Sequence, residues 1–199
     1  MIPPFERLFP EVRAMSVGRA TPAQIWNDGL ALMRARWYLR RATSVGERPR
    51  VWGRPVIRNL GSLIIGQRVT LFSTAIPIQL TTEADGTLEI GARTFMNYGC
   101  SILATKLVSI GPDCKLGMDV LMMDNDFHQI DPAKRWVRPS SAPVVLEENV
   151  WLGARVIVLS GVRIGANSVV AAGSVVTRDI PPYSLAAGQP ARVIRSIDR

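Results

Sequence analysis

Along the C-terminal half of the chain, aliphatic residues return at every sixth position. Leu152, Val158, Ile164, Val170 and Val176 form an unbroken series, with glycine following at Gly153 and Gly165. The same step runs through Ile90, Met96 and Ile102. After a shift of two positions it continues through Ile110, Leu116 and Met122, and Gly91, Gly111 and Gly117 again follow. Two positions ahead of the first series stand Val150, Val156, Val162, Ser168 and Ser174, all small or β-branched and able to face a narrow interior. A period of six fits neither the roughly 3.6 of a helix nor plain alternation, but it fits short strands joined by tight turns, each aliphatic pointing inward. One six-residue unit cannot bury its apolar residue alone. Successive coils must therefore stack into a parallel β-helix that pairs the ladder groups and hides the aliphatics together. Five consecutive members with recurrent aliphatic–glycine pairs set aside a β-sandwich with coincidental spacing.

Ahead of the repeats the pattern changes. Thr21 is a capping residue, Pro22 suits a first helical position, and Trp26, Leu30, Met33 and Trp37 share one face, which predicts a helix over residues 22 to 42. Arg34, Arg36, Arg40 and Arg41 gather toward its C-terminal end, where positive charge complements the helix dipole. Pro49 and Pro55 are expected to end this segment before the coils begin. Two readings of the helix follow: a cap docked over the open end of the β-helix, or an interfacial helix resting on anionic lipid. The expected organisation is an N-terminal helical segment (1–55), a repeat domain (56–188) interrupted by a polar loop near 124–143, and a short helical C-terminal tail (189–199).

Composition narrows the class. The 199 residues are 47% hydrophobic and 20% charged, a globular balance. The net charge is +8, of which residues 1 to 60 contribute +7 through eleven arginines against Glu6, Glu11, Asp28 and Glu47. Such asymmetry points to an anionic partner for the N-terminal part; no nucleic-acid module accompanies the charge, so nucleic acid is not expected. The start, MIPPFERLFPEVR, lacks the apolar run of a signal peptide. Cys100 and Cys114 give neither a disulfide framework nor a CxxC pair. A cytoplasmic protein, with the helix at the inner membrane face in the lipid reading, is the expectation.

The stretches IGARTFMNYGCSI, WLGARVIVLSGVRIGANSVVAAGSVVTRDIPP and AAGQPARVIR resemble the hexapeptide-repeat acyltransferase superfamily, with the sugar and polysaccharide O-acetyltransferases nearest. The likeness covers roughly residues 56 to 197. It implies a left-handed coil of three faces, acetyl-CoA as co-substrate, a saccharide acceptor, and a homotrimer whose sites lie between chains. It also implies that the base is a histidine on the loop interrupting the coils.

His128, the single histidine, lies in LMMDNDFHQIDPAKRW on that loop. Moving an acyl group from a thioester to a hydroxyl requires a group that accepts the hydroxyl proton, and imidazole titrates near working pH. Asp124, Asp126 and Asp131 flank it; one of them, or a backbone carbonyl, would orient the ring. The resemblance assigns the coenzyme A groove to Trp151, Gly153, Ala154, Ala171, Ala172 and Gly173, and its phosphates to Arg178, Arg192 and Arg195. Asn97, with Asp126, is assigned to the acceptor. Two departures stand out: Ile102, Leu103 and Ala104 are apolar where relatives carry an acidic pair, and Glu147 replaces a glycine after Leu146. Zinc carbonic anhydrases share the coil pattern but need three histidines, so no metal is expected. Competing readings are N-acetylation of an amino sugar or small molecule, and a non-enzymatic scaffold for a membrane or anionic partner.

Overall fold

The computed structural model describes residues 21–198. The chain winds into coils whose strands form three parallel sheets, so that the expected β-helix is observed. The first sheet stacks Ser44–Val45, Ser62–Ile65, Thr87–Ile90, Leu107–Ile110, Val144–Leu146 and Arg163–Ile164. The second stacks Arg50–Gly53, Thr70–Ser73, Phe95–Met96, Lys115–Leu116, Trp151–Leu152 and Val169–Val170, then Ser184–Gly188 and Ala191–Ser196. The third stacks Val56–Asn59, Gln79–Thr82, Ser101–Ala104, Leu121–Met123, Ile157–Val158 and Val175–Val176.

The sixfold step explains this arrangement. Successive members of the series fall on successive faces, so every third member stacks on the same face one coil later. Met96, Leu116, Leu152 and Val170 pair in register on the second sheet. Ile102, Met122, Val158 and Val176 do the same on the third. All of these side chains are buried, as are Val150, Val156, Val162, Ser168 and Ser174 two positions earlier. Fully burying each aliphatic stabilises the stack by roughly 1.5–3 kcal/mol. The shift of two positions between Ile102 and Ile110 is absorbed in the turn between the strands Ser101–Ala104 and Leu107–Ile110, and Ile90 still pairs with Ile110. Glycines at the corners let coils approach closely: a Cβ on Gly153 would sit 2.5 Å from the backbone nitrogen of Ala172 in the next coil.

Two expectations need correction. The coils begin at Ser44, not after Pro55, because Pro49 and Pro55 lie in the turns between the first three strands, where a missing N–H disrupts no ladder. The tail is not helical. Ser184–Gly188 extends the second sheet and Ala191–Ser196 folds back on it antiparallel, Gly188 taking the positive φ that begins the reversal. The β-branched pair Val193–Ile194 suits that strand better than a helix.

The expected helix is observed over Pro22–Tyr38 and continues as a 3₁₀ turn over Leu39–Arg41. Thr21 caps it as expected, in a reciprocal arrangement: its Oγ1 accepts from the Gln24 amide and its own amide donates to Gln24 Oε1. The helix packs on the strand Arg50–Gly53, but through Ala31, Ala35 and Leu39, with Asp28 gripping Arg50. The Trp26, Met33 and Trp37 side faces outward, because a helix lying close on a strand takes small residues at the contact. The absence of a leader was read from residues outside the described range. Among the described residues no helix is long and apolar enough to cross a membrane.

Candidate functional site

The strands Leu121–Met123 and Val144–Leu146 keep their register with neighbouring coils, and the chain between them leaves the stack as a loop. Its two ends are pinned together. The Asp124 carbonyl accepts from the Ala142 amide at 2.9 Å and from Ser160 Oγ at 2.9 Å. The Asp124 carboxylate is fully buried and accepts from four donors: Thr105 N and Oγ1 on one oxygen, Lys106 N and Leu107 N on the other. A buried carboxylate is tolerable only when saturated in this way. Asn125, also buried, donates to the Pro139 carbonyl and to Ser141 Oγ, and its Oδ1 accepts from Phe127 N at 2.6 Å. That last bond makes a side-chain turn that holds Phe127 at a positive φ, uncommon for a bulky residue, and sends His128 outward. Arg138 closes the other side, paired with Glu83 at 2.7 Å and stacked over the Phe127 ring.

His128 is exposed, and its Nδ1 lies 2.8 Å from the carbonyl oxygen of Arg135. A carbonyl only accepts, so Nδ1 donates to it, and in the neutral ring Nε2 is the acceptor nitrogen. The orienting group is therefore a backbone carbonyl and none of the three aspartates. Asp124 roots the loop, Asp131 accepts from the Ala133 amide to cap the turn Pro132–Lys134, and exposed Asp126 accepts the His128 amide through its own carbonyl. The Trp136 indole stands edge-on to the imidazole with centroids 6.0 Å apart.

A groove of about 720 Å³ runs across five strands of the second sheet, from Phe95–Met96 to Ser184–Gly188. Trp151, Gly153, Ala154, Ala171 and Ala172 line it, which brings together five of the six residues assigned to the donor. Gly173 is outside the lining; its positive φ and the open space around it show a turn requirement instead. Asn97 also lines the groove, at its N-terminal end, with Oδ1 engaged by the Tyr98 amide. His128 does not line it. Arg178 is exposed after the strand Val175–Val176, and Arg192 and Arg195 are exposed on the last strand. Arg195 pairs in register with Leu185, a groove residue, and so sits one strand beyond the groove's edge.

Both cysteines are interior. Cys100 donates to the Gly117 carbonyl and Cys114 to that of Glu147. Burial pushes their thiols up, to about 12 and about 11, so neither supplies a nucleophilic thiolate at neutral pH. Glu147 has a use that a glycine there would lack: its carboxylate accepts from the Ala166 amide and from Arg163 of the next coil. Among the described residues no group of three or more His, Cys, Asp or Glu is placed to hold a metal ion.

Residues 143–178 match the family model for the bacterial transferase hexapeptide (six repeats). A Staphylococcus aureus (strain COL) acetyltransferase homologue is 35% identical over 151 residues, 73% of this chain and 74% of its own length. The galactoside O-acetyltransferase of Escherichia coli (strain K12) is 36% identical over 111 residues, 56% of this chain; the chain thus spans about half (55%) of that relative. The hexapeptide-repeat acetyltransferase of Vibrio cholerae O1 biovar eltor, solved with acetyl coenzyme A, superposes with a TM-score of 0.58 at 25% identity, over 95% of this chain and 99% of that one. The chain belongs to the hexapeptide-repeat acetyltransferases.

Loop anchoring was the part of the site missed from sequence. Asn125, Thr105, Ser141 and the Arg135 carbonyl fix His128, yet only the Asp-Asn-Asp run before it carried a signal, as a composition that favours side-chain turns.

Proposed function

We propose that the chain transfers an acetyl group from acetyl-CoA to a hydroxyl of a saccharide, with His128 as general base. The observation that carries this reading is the imidazole held through Nδ1 on a carbonyl, which leaves Nε2 as the acceptor for a proton. In the reaction, the acceptor O–H gives its proton to Nε2 while the oxygen attacks the thioester carbonyl. The tetrahedral intermediate collapses with loss of the sulfur, which takes the proton back from the imidazolium. The products are an ester and a free thiol. The small residues along the groove leave room for the donor's pantetheine arm, and Arg178, Arg192 and Arg195 would meet its phosphates. Asn97, with Asp126, would contact the acceptor. The E. coli relative acts on galactosides by its name, which supports a saccharide hydroxyl over an amine.

The working form we assign is a homotrimer. Its support is the separation of His128 from the groove of its own chain: a second copy would bring its loop against that groove. Sedimentation at low concentration tests it, and a monomer that retains full activity would refute it. A reducing cytoplasm is the compartment we assign, in keeping with two buried, unpaired thiols.

The deciding experiment incubates the full chain with acetyl-CoA and a panel of saccharides, amino sugars included, and follows thiol release. Wild type releases thiol with a hydroxyl acceptor. His128→Ala loses about 10²- to 10⁴-fold in rate, the ordinary worth of a positioned base, while coenzyme A still raises the unfolding temperature. Activity in the variant within tenfold of wild type would remove His128 from the chemistry, and release only with amino sugars would make the reaction N-acetylation.

A further inference from the structure

We propose that the outward face of the helix Pro22–Tyr38, together with the arginines around it, docks on an anionic lipid surface. The helix buries Ala31, Ala35 and Leu39 against the first coil. Directly opposite, Trp26, Met33 and Trp37 are 71%, 68% and 63% exposed. Four large apolar residues in a row on a helix, Ile25 included, are more than a soluble surface ordinarily carries at one spot.

The charge around this face has one sign. Between residues 21 and 60 the sequence holds eight arginines and two acids. One of those acids, Asp28, is consumed by Arg50 at the packed face. Arg34, Arg36, Arg40 and Arg41 stay exposed beside the tryptophans. Arg40 lies 3.9 Å above the Trp37 ring, which holds indole and guanidinium together as one amphipathic unit. The first coil adds exposed Val45 and Arg48 on one flank of the helix and exposed Val56 beside Trp37, Arg40 and Arg41 on the other. A cleft of about 350 Å³ between helix and coil has an apolar floor of Ala35 and Leu39 and carries Arg36, Arg40 and Arg48.

The chemistry of the face selects its partner. Indole rings settle at the level of lipid headgroups, and arginines beside them reach phosphate. A saccharide partner would call for polar hydrogen-bonding side chains in place of Ile25 and Met33. A protein partner would need acids matching Arg34, Arg36, Arg40, Arg41 and Arg48, whereas a bilayer supplies negative charge and an apolar boundary in one surface. This inference stands apart from the proposed reaction, since lipid binding is read without any acceptor or donor present.

The test is flotation of the full chain with vesicles of phosphatidylcholine alone or mixed with phosphatidylglycerol. Binding to the anionic vesicles is expected to be at least about tenfold tighter and to weaken with salt. Trp26→Ser/Trp37→Ser, both changes at exposed positions, should lose that binding at unchanged unfolding temperature, and Arg34→Glu/Arg41→Glu should lose it too. Three results would overturn the proposal: equal binding to both vesicles, unchanged binding in the tryptophan variant, or a concentration-dependent assembly that dissociates when the tryptophans are replaced. The last would make the face a contact between copies of this chain.

Discussion

The loop that carries His128 and the groove on the second sheet differ in what holds them in shape. The loop depends on a few buried polar side chains, each with several partners: Asp124 alone satisfies four donors, and Asn125 three groups. The groove depends on repetition, since its walls are ladder strands and its floor residues are small. A polar anchor concentrates consequence in one residue, because removing it strands every partner in a dry site. A repeated wall spreads consequence over many residues, and it fails only where volume is added.

The sharpest way to break this contrast is at Asp124. Asp124→Ala should abolish thiol release and lower unfolding free energy by about 3 kcal/mol, because three backbone amides and a hydroxyl lose their acceptor. Urea unfolding beside the thiol assay reads both, and a variant with near-native stability would show that the loop is held by other means. In the groove the effect is smaller and of another kind. Ala172→Leu should leave the fold intact and raise KM for acetyl-CoA about tenfold with kcat nearly unchanged, since it narrows the channel without touching the base. A fall in kcat alone would place the residue elsewhere in the reaction.

The smallest effect belongs to the interior beneath both regions. Cys100 has its thiol raised from about 9 to about 12 by burial, so above pH 9 the unfolded chain releases a proton that the folded chain keeps. Stability from this source is intact below pH 9 and drains away as pH climbs toward 12. Between pH 9 and pH 10 wild type should lose about 1 kcal/mol more than Cys100→Ala, measured as the slope of unfolding free energy against pH. Identical slopes would mean that the thiol ionises in place.

The same contrast explains what the sequence disclosed. A strict step of six is a property of neighbouring residues, so Leu152 through Val176 announced the coils directly. The imidazole was legible as a lone titratable group on the interrupting loop. Its support was not: Thr105 and Ser141 meet Asp124 and Asn125 only after the chain has wound through a further coil and loop, and nothing local marks that meeting. The helix was legible as an element, but its buried side was not. Its apolar stripe was plain, but which side is buried was decided by close approach to a strand, and Ala31 and Ala35 fit where Trp26 and Trp37 do not. At the tail, residues 189–199 were given the wrong backbone, because the free edge of the second sheet that recruits Ala191–Ser196 exists only in the folded solenoid.

The strands on either side of the loop keep unbroken register, Ile110 on Leu146 and Leu146 on Ile164, as though the intervening chain were absent. Leaving and re-entering the stack at one pinned point makes residues 126–140 an interchangeable cassette. New loops of other lengths and chemistries could be spliced between Asn125 and Ser141, with Asp124 and its four donors kept, and the prism beneath would hardly register the exchange. A scaffold of this kind can diversify its loop while inheriting, unaltered, the groove that we propose for the donor.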